Sequence, residues 1–118
     1  MAALNIVRVA VLNGKMAVAN VNTTPSSIVT NATNSNLLFK INTVSFCNYA
    51  SSTANVSMDL LRSGVGYRIV ANVSVPVNSS FVAVTKDSML YLEEGDSLRV
   101  YAGANNVIEA VVSYDYLA

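Results

Sequence analysis

Apolar residues recur at every second position along most of this chain, the period of a strand with one buried face. Ile6 to Val11 reads Ile-Val-Arg-Val-Ala-Val, with Val7, Val9 and Val11 on one side. Asn13-Gly14 follows, a strong hairpin signal because both residues tolerate the positive φ of a type I′ turn. Lys15 to Val21 continues the pattern, with Met16 and Val18 on one face and Ala17, Ala19 and Val21 on the other. Residues 1–25 are therefore expected to form an amino-terminal β-hairpin or an arm that pairs with a neighbour, and residues 26–118 the body.

Asn22 to Asn36 is polar and turn-rich, with Ile28-Val29 its only apolar island. It reads as a mobile connection holding one short strand. Leu37 to Tyr49 is the longest strand signal. Its apolar side switches from Leu37, Phe39 and Ile41 to Val44 and Phe46, which predicts a bulge near Asn42-Thr43 or burial on both sides. After a turn at Ala50-Ser51-Ser52, Thr53 to Leu61 alternates cleanly, with Ala54, Val56, Met58 and Leu60 inward. These two segments read as an antiparallel hairpin.

Arg62 to Gly66 is the next reversal. Its Gly-x-Gly precedes a strand, not a helix, so it is no phosphate cradle. Tyr67, Ile69, Ala71, Val73 and Val75 then share a face, and Pro76 closes the strand because it has no N–H to donate to a ladder. Phe81 to Val84 is a short strand. Met89 to Ala118 reads as strand, acidic turn at Glu93-Glu94-Gly95-Asp96, strand, small-residue turn and strand, with Gly95-Asp96 shaping a hairpin. That makes about eight or nine short strands at spacings of roughly 8–12 residues and no convincing helix. The expected fold is an all-β antiparallel sandwich, jelly-roll-like.

Composition narrows the function more than the fold. The 118 residues are 53% hydrophobic and 12% charged, and seven basic residues balance seven acidic ones. Neutrality argues against a nucleic-acid face and against a polybasic membrane patch. So few charges leave two readings: a surface kept soluble by amides and hydroxyls, or a surface covered by partner subunits. Apolar residues on both faces of several strands favour the second, a homo-oligomer. No run of about 18 apolar residues occurs, so no transmembrane helix is expected. The amino-terminal stretch lacks the charged start and compact apolar core of a signal peptide. Sequons at Asn22, Asn31, Asn55, Asn72 and Asn78 are read as by-products of Asn/Ser/Thr richness.

Chemistry is sparse. The absence of histidine removes imidazole acid–base work and the usual imidazole metal ligands. The lone Cys47 has no partner for an internal disulfide and reads as a small buried apolar residue. Glu93, Glu94 and Asp96 form the only dense acidic cluster. They could ring a hard cation but lack a full ligand pattern, and read as a solvated hairpin turn. No catalytic residue, cofactor or metal is expected. Tyr91, Tyr101, Tyr114 and Tyr116 could stack on a sugar or pack at a subunit contact, a role in which tyrosine is enriched. The expected contacts are Tyr101, Tyr114, Tyr116, Val7, Val9 and Val11.

Two stretches carry a family likeness. One is Phe39 to Asn48 with the small-residue run to Met58. The other runs from Val73-Ser74-Val75-Pro76-Val77-Asn78-Ser79-Ser80-Phe81 to Leu90-Tyr91-Leu92-Glu93-Glu94-Gly95-Asp96-Ser97-Leu98-Arg99-Val100. Together they resemble small structural proteins of tailed bacteriophages, including those of cyanobacterial phages, over about residues 27–118. The resemblance implies a non-enzymatic virion component, made in the host cytoplasm and often trimeric. Its partners would be the major capsid protein, for a decoration or cement protein, or tail proteins, for an adaptor or fibre module. A glycan-binding recognition module is the alternative outside that reading.

Overall fold

The computed structural model describes residues 10–118 as nine strands in two packed antiparallel sheets. In chain order they are β1 (Leu12–Val21), β2 (Ser26–Thr30), β3 (Leu38–Asn48), β4 (Ala54–Arg62), β5 (Val65–Val75), β6 (Ser79–Val84), β7 (Leu90–Leu92), β8 (Ser97–Ala102) and β9 (Ile108–Leu117). A 3-10 turn, Lys86–Ser88, separates β6 from β7. Sheet A runs β1-β9-β3-β6, with β7 also on β3, and sheet B runs β2-β8-β4-β5. The expected sandwich is what forms.

The alternating positions fill the space between the sheets. Ile41, Val44 and Phe46 of β3 and Ile108, Ala110 and Val112 of β9 face Val56 and Met58 of β4 and Leu98 and Val100 of β8, all buried. The Phe46 and Phe81 rings stack 6.5 Å apart at 13°. The expected bulge exists: the β3–β9 register shifts between Ile41 and Thr43. It lets Phe39 and Ile41, then Val44 and Phe46, face the same side, because the bulge inserts one extra residue between them.

Several expected connections differ. Asn13-Gly14 does not turn; β1 passes straight through it, pairing with β9 from Leu12↔Leu117 to Val21↔Ile108 without a register shift. A partner strand already matched residue for residue outweighs the local turn preference of two residues. The segment before Ala10, with Val7 and Val9, lies outside the described residues.

Nor do β3 and β4 form a hairpin. They lie in different sheets, and the turn between them crosses the sandwich. Gly95-Asp96 likewise carries the chain from β7 in sheet A to β8 in sheet B. Strand period reports which face is buried but is silent on which sheet the strand joins. Among the expected reversals, Ser63-Gly64 does make a true hairpin, with Arg62 opposite Val65. In β5 the apolar side slips: Val70 is buried while Ile69 and Ala71 are exposed, because two register shifts interrupt the β4–β5 ladder.

Asparagine explains much of the polar composition. Asn34, Asn36, Asn72, Asn78 and Asn106 all hold positive φ, a region that asparagine tolerates and most side chains do not. Two other asparagines are buried anchors. Asn48 donates to the Ser52 and Val75 carbonyls and accepts from the Ala50 N–H, each at 2.9 Å. Asn31 donates to the Leu37 and Leu92 carbonyls at 2.9 and 3.0 Å and accepts from the Ser35 hydroxyl. Asn31 thus pins the expected mobile connection to the body.

Candidate contact surface

The acidic turn is built as a lock. Asp96 is buried, and its carboxylate accepts from the Glu93 N–H at 2.8 Å and from Arg62 Nε and Nη2 at 2.8 and 2.6 Å. Burial pushes the Asp96 carboxyl up, but the Arg62 hydrogen bonds, the Glu93 N–H and the Arg62 charge outweigh it and hold the group below its ordinary value. The hydrogen bond that Arg62 donates to Asp96 leads the causes that push the Arg62 guanidinium upward. Arg62 also reaches Glu93 at 2.9 Å, and Glu94 accepts from the Asn36 N–H at 3.1 Å. The turn is therefore not the solvated acidic loop its residues suggested, since Asp96 is spent on a bidentate ion pair. Among the described residues no group of three or more His, Cys, Asp or Glu side chains could hold a metal ion.

A second ion pair lies on the outer face of sheet B. Arg99 Nε and Nη2 donate to Asp59 at 2.8 and 2.7 Å, and Asp59 is buried although its alternation points it outward. Its cover comes partly from Gly66: a Cβ there would lie 2.6 Å from Arg99 Nη2 and 2.8 Å from Asp59 Oδ2. Tyr101 belongs to this face, on β8 opposite Ser57.

Tyr114 and Tyr116 stand elsewhere. They share the inner side of β9 at one end of sheet A, where Phe39 packs at 5.4 Å from Tyr114 and 6.2 Å from Tyr116. Lys15 Nζ lies 5.5 Å from the centre of the Tyr116 ring, a cation–π contact. Val11, half-exposed, exchanges backbone hydrogen bonds with Ala118 at 3.1 and 3.0 Å. It therefore shares the face of Tyr114 and Tyr116, since Asn13 lies opposite Tyr116. Tyr91 lies on the other face of sheet A, beside Lys40. The structure brings Val11, Tyr114 and Tyr116 together and separates them from Tyr101. Four tyrosines on three surfaces make no single stacking platform.

What sequence reasoning did not single out is the outer face of sheet A. Leu12, Met16 and Val18 are 65%, 67% and 73% exposed, the highest values among the large apolar side chains of the described residues. Val18 pairs with Val111, Val111 with Ser45 and Ser45 with the exposed Val82, giving an uncharged row across four strands. Val18, Asn20, Ser45, Cys47, Glu109 and Val111 line an open groove there of about 560 Å³. Cys47 is exposed in it, not buried as expected; it is out of phase with the inward Phe46, and no described layer covers this face. The signal was present in the alternation: both faces of Lys15 to Val21 are apolar, and a two-layer sandwich buries only one.

No family model matches the chain, and no curated protein matches it. Solved structures with a similar fold exist. One, described as "Bacillus endospore appendages form a novel family of disulfide-linked pili", aligns at TM-score 0.56 and 11% identity, covering 92% of this chain and 87% of that one. A pentameric capsid protein isolated from metagenomic phage sequences aligns at TM-score 0.47 and 16% identity, covering 83% of this chain and 59% of its own. At such identities the likeness is one of fold.

Proposed function

We propose that this chain is a non-enzymatic structural subunit of a phage particle, a decoration or cement protein that self-associates and braces the head. The observation that carries the assembly part is the uncharged row Val18–Val111–Ser45–Val82 on the uncovered outer face of sheet A, with Met16 and Val18 about two-thirds or more exposed. Contiguous apolar surface of this kind marks a contact. The virion location is supported by the likeness of residues 27–118 to small phage structural proteins. The strand order β1-β9-β3-β6 over β2-β8-β4-β5 supports a jelly-roll wrapping. Val11, Tyr114 and Tyr116 on one surface, Tyr101 on another, and Val7 and Val9 on the amino-terminal segment are the proposed contacts with capsid neighbours.

Quantitative mass spectrometry of purified particles, with binding of the purified protein to procapsids, tests the location. The expected result is a copy number on the order of the head subunits, in the hundreds. A copy number near six or twelve, as a tail ring of about that symmetry has, overturns the capsid placement. A subunit of an extended appendage such as a tail is the second reading, favoured by the pilus structure of similar fold. This chain has one cysteine, so a disulfide can join copies only in pairs and cannot link a filament end to end.

A further inference from the structure

A sheet edge left long, flat and apolar is a template for another strand, and folded chains commonly blunt such edges. Three sides of this sandwich are blunted. β2 has five residues and a register shift between Ser27 and Val29. β5 carries two register shifts. The side made by β6 and β7 is broken by the 3-10 turn at Lys86–Ser88 and by a shift between Val44 and Ser45 on β3. β1 has none of these devices: ten residues paired to β9 without a shift, no proline, and Lys15 as its single charge. Among the described residues, no strand pairs with its other side.

We propose that β1 is the interface with a second copy of this chain, the two β1 strands pairing antiparallel about a two-fold axis to join both A sheets into one. Backbone geometry sets the register. Val11 and Ala118 exchange both hydrogen bonds, and the pairing onward from Leu12↔Leu117 is unshifted. Odd-numbered residues of β1 therefore aim their N–H and C=O groups at β9, and Leu12, Gly14, Met16, Val18 and Asn20 aim theirs at the open edge. An antiparallel partner must present the same even set, which keeps outward side chains opposite outward ones.

Of the registers this allows, one places Met16 opposite the partner's Val18 and Val18 opposite the partner's Met16. The two most exposed large apolar side chains of the described residues then pack side by side across the seam. Lys15 falls opposite the partner's Ala19 instead of the partner's Lys15, and Ala17 faces the partner's Ala17 on the axis. One strand supplies both halves of a self-complementary contact, as a two-fold interface requires. The proposal deepens the assembly reading and rests on its self-association, not on the virion location; particle copy number leaves it untouched.

Sedimentation equilibrium of the full chain at concentrations up to about 100 µM, a range that reports μM association, gives the mass. The expected result is twice the chain mass, or an even multiple, for the wild type and the single-chain mass for Met16→Lys/Val18→Lys with unchanged circular dichroism. These sites are exposed, so the monomer fold should tolerate both changes. In a Cys47→Ser background, Ala17→Cys should link two copies by a disulfide under mild oxidation, since paired Cα atoms at a non-hydrogen-bonded position are about 4.5 Å apart. Ala19→Cys in the same background should not. A wild type that stays monomeric, a trimer that the lysine pair leaves intact, or linkage by Ala19→Cys in place of Ala17→Cys overturns the proposal. So does dispersal of the assembly by Val7→Pro, which would make the amino-terminal segment the strand that docks.

Discussion

The Asp96 carboxylate takes three charge-assisted or backbone hydrogen bonds while almost wholly removed from water. Removing it leaves the Glu93 N–H without its acceptor and Arg62 without its bidentate partner. Asp96→Ala should therefore cost about 2–3 kcal/mol in chemical denaturation. The sign of the pH dependence follows from the depressed carboxyl. Its stabilisation is complete above the unfolded aspartate value of about 3.9 and is lost as pH falls through the lower folded value. Asp96→Asn should remove that component, so stability measured between about pH 5 and pH 3 falls less steeply in the variant than in the wild type. An unchanged slope would mean that Asp96 does not drive the acid loss. Asn48→Ala should cost about 2–3 kcal/mol by the same logic, because two carbonyls and one N–H lose a buried partner. In the sequence Asp96 read as an ordinary turn former and Asn48 as the end of the Leu37 to Tyr49 strand. Turn chemistry was legible there; burial was not, because it depends on strands far away in the chain.

At the level of strands, alternation located nearly every described element, and the bulge beside Asn42-Thr43 was visible as a change of apolar side. Pairing partners were not visible. The chain steps between sheets at β1–β2, β2–β3, β3–β4, β5–β6, β7–β8 and β8–β9, so most neighbours in sequence are not neighbours in a ladder. The β4–β5 hairpin is the place where a local turn and a ladder coincide, and Gly66 sits in it under the Arg99–Asp59 pair. Gly66→Ala puts a methyl within 3 Å of both charged groups. It should lower stability by about 1–3 kcal/mol. Thermal denaturation checks this, and a variant as stable as the wild type would show that the pair moves aside at no cost.

Across the whole molecule, one core joins the two sheets, and Phe46 stands at its centre, fully buried against Phe81. Phe46→Ala should cost about 3–5 kcal/mol, and a loss below about 1 kcal/mol would mean that the two sheets do not depend on this contact. The sequence by itself determined the fold class, the number and rough bounds of the strands, and the excess of apolar residues over what one core can bury. Those properties are local: period, turn residues and composition are all read within a few positions. The tertiary structure decided which sheet each strand joined, that Asp96, Asp59, Asn31 and Asn48 are buried, and that the most exposed of the surplus apolar residues, Leu12, Met16 and Val18, lie on the outside of sheet A. Each depends on which distant strand covers which face, and alternation is identical for a strand in either sheet. The straight passage of β1 through Asn13-Gly14 has the same cause: ten consecutive pairs with β9 overrode a two-residue turn preference, and left the Met16–Val18 edge open.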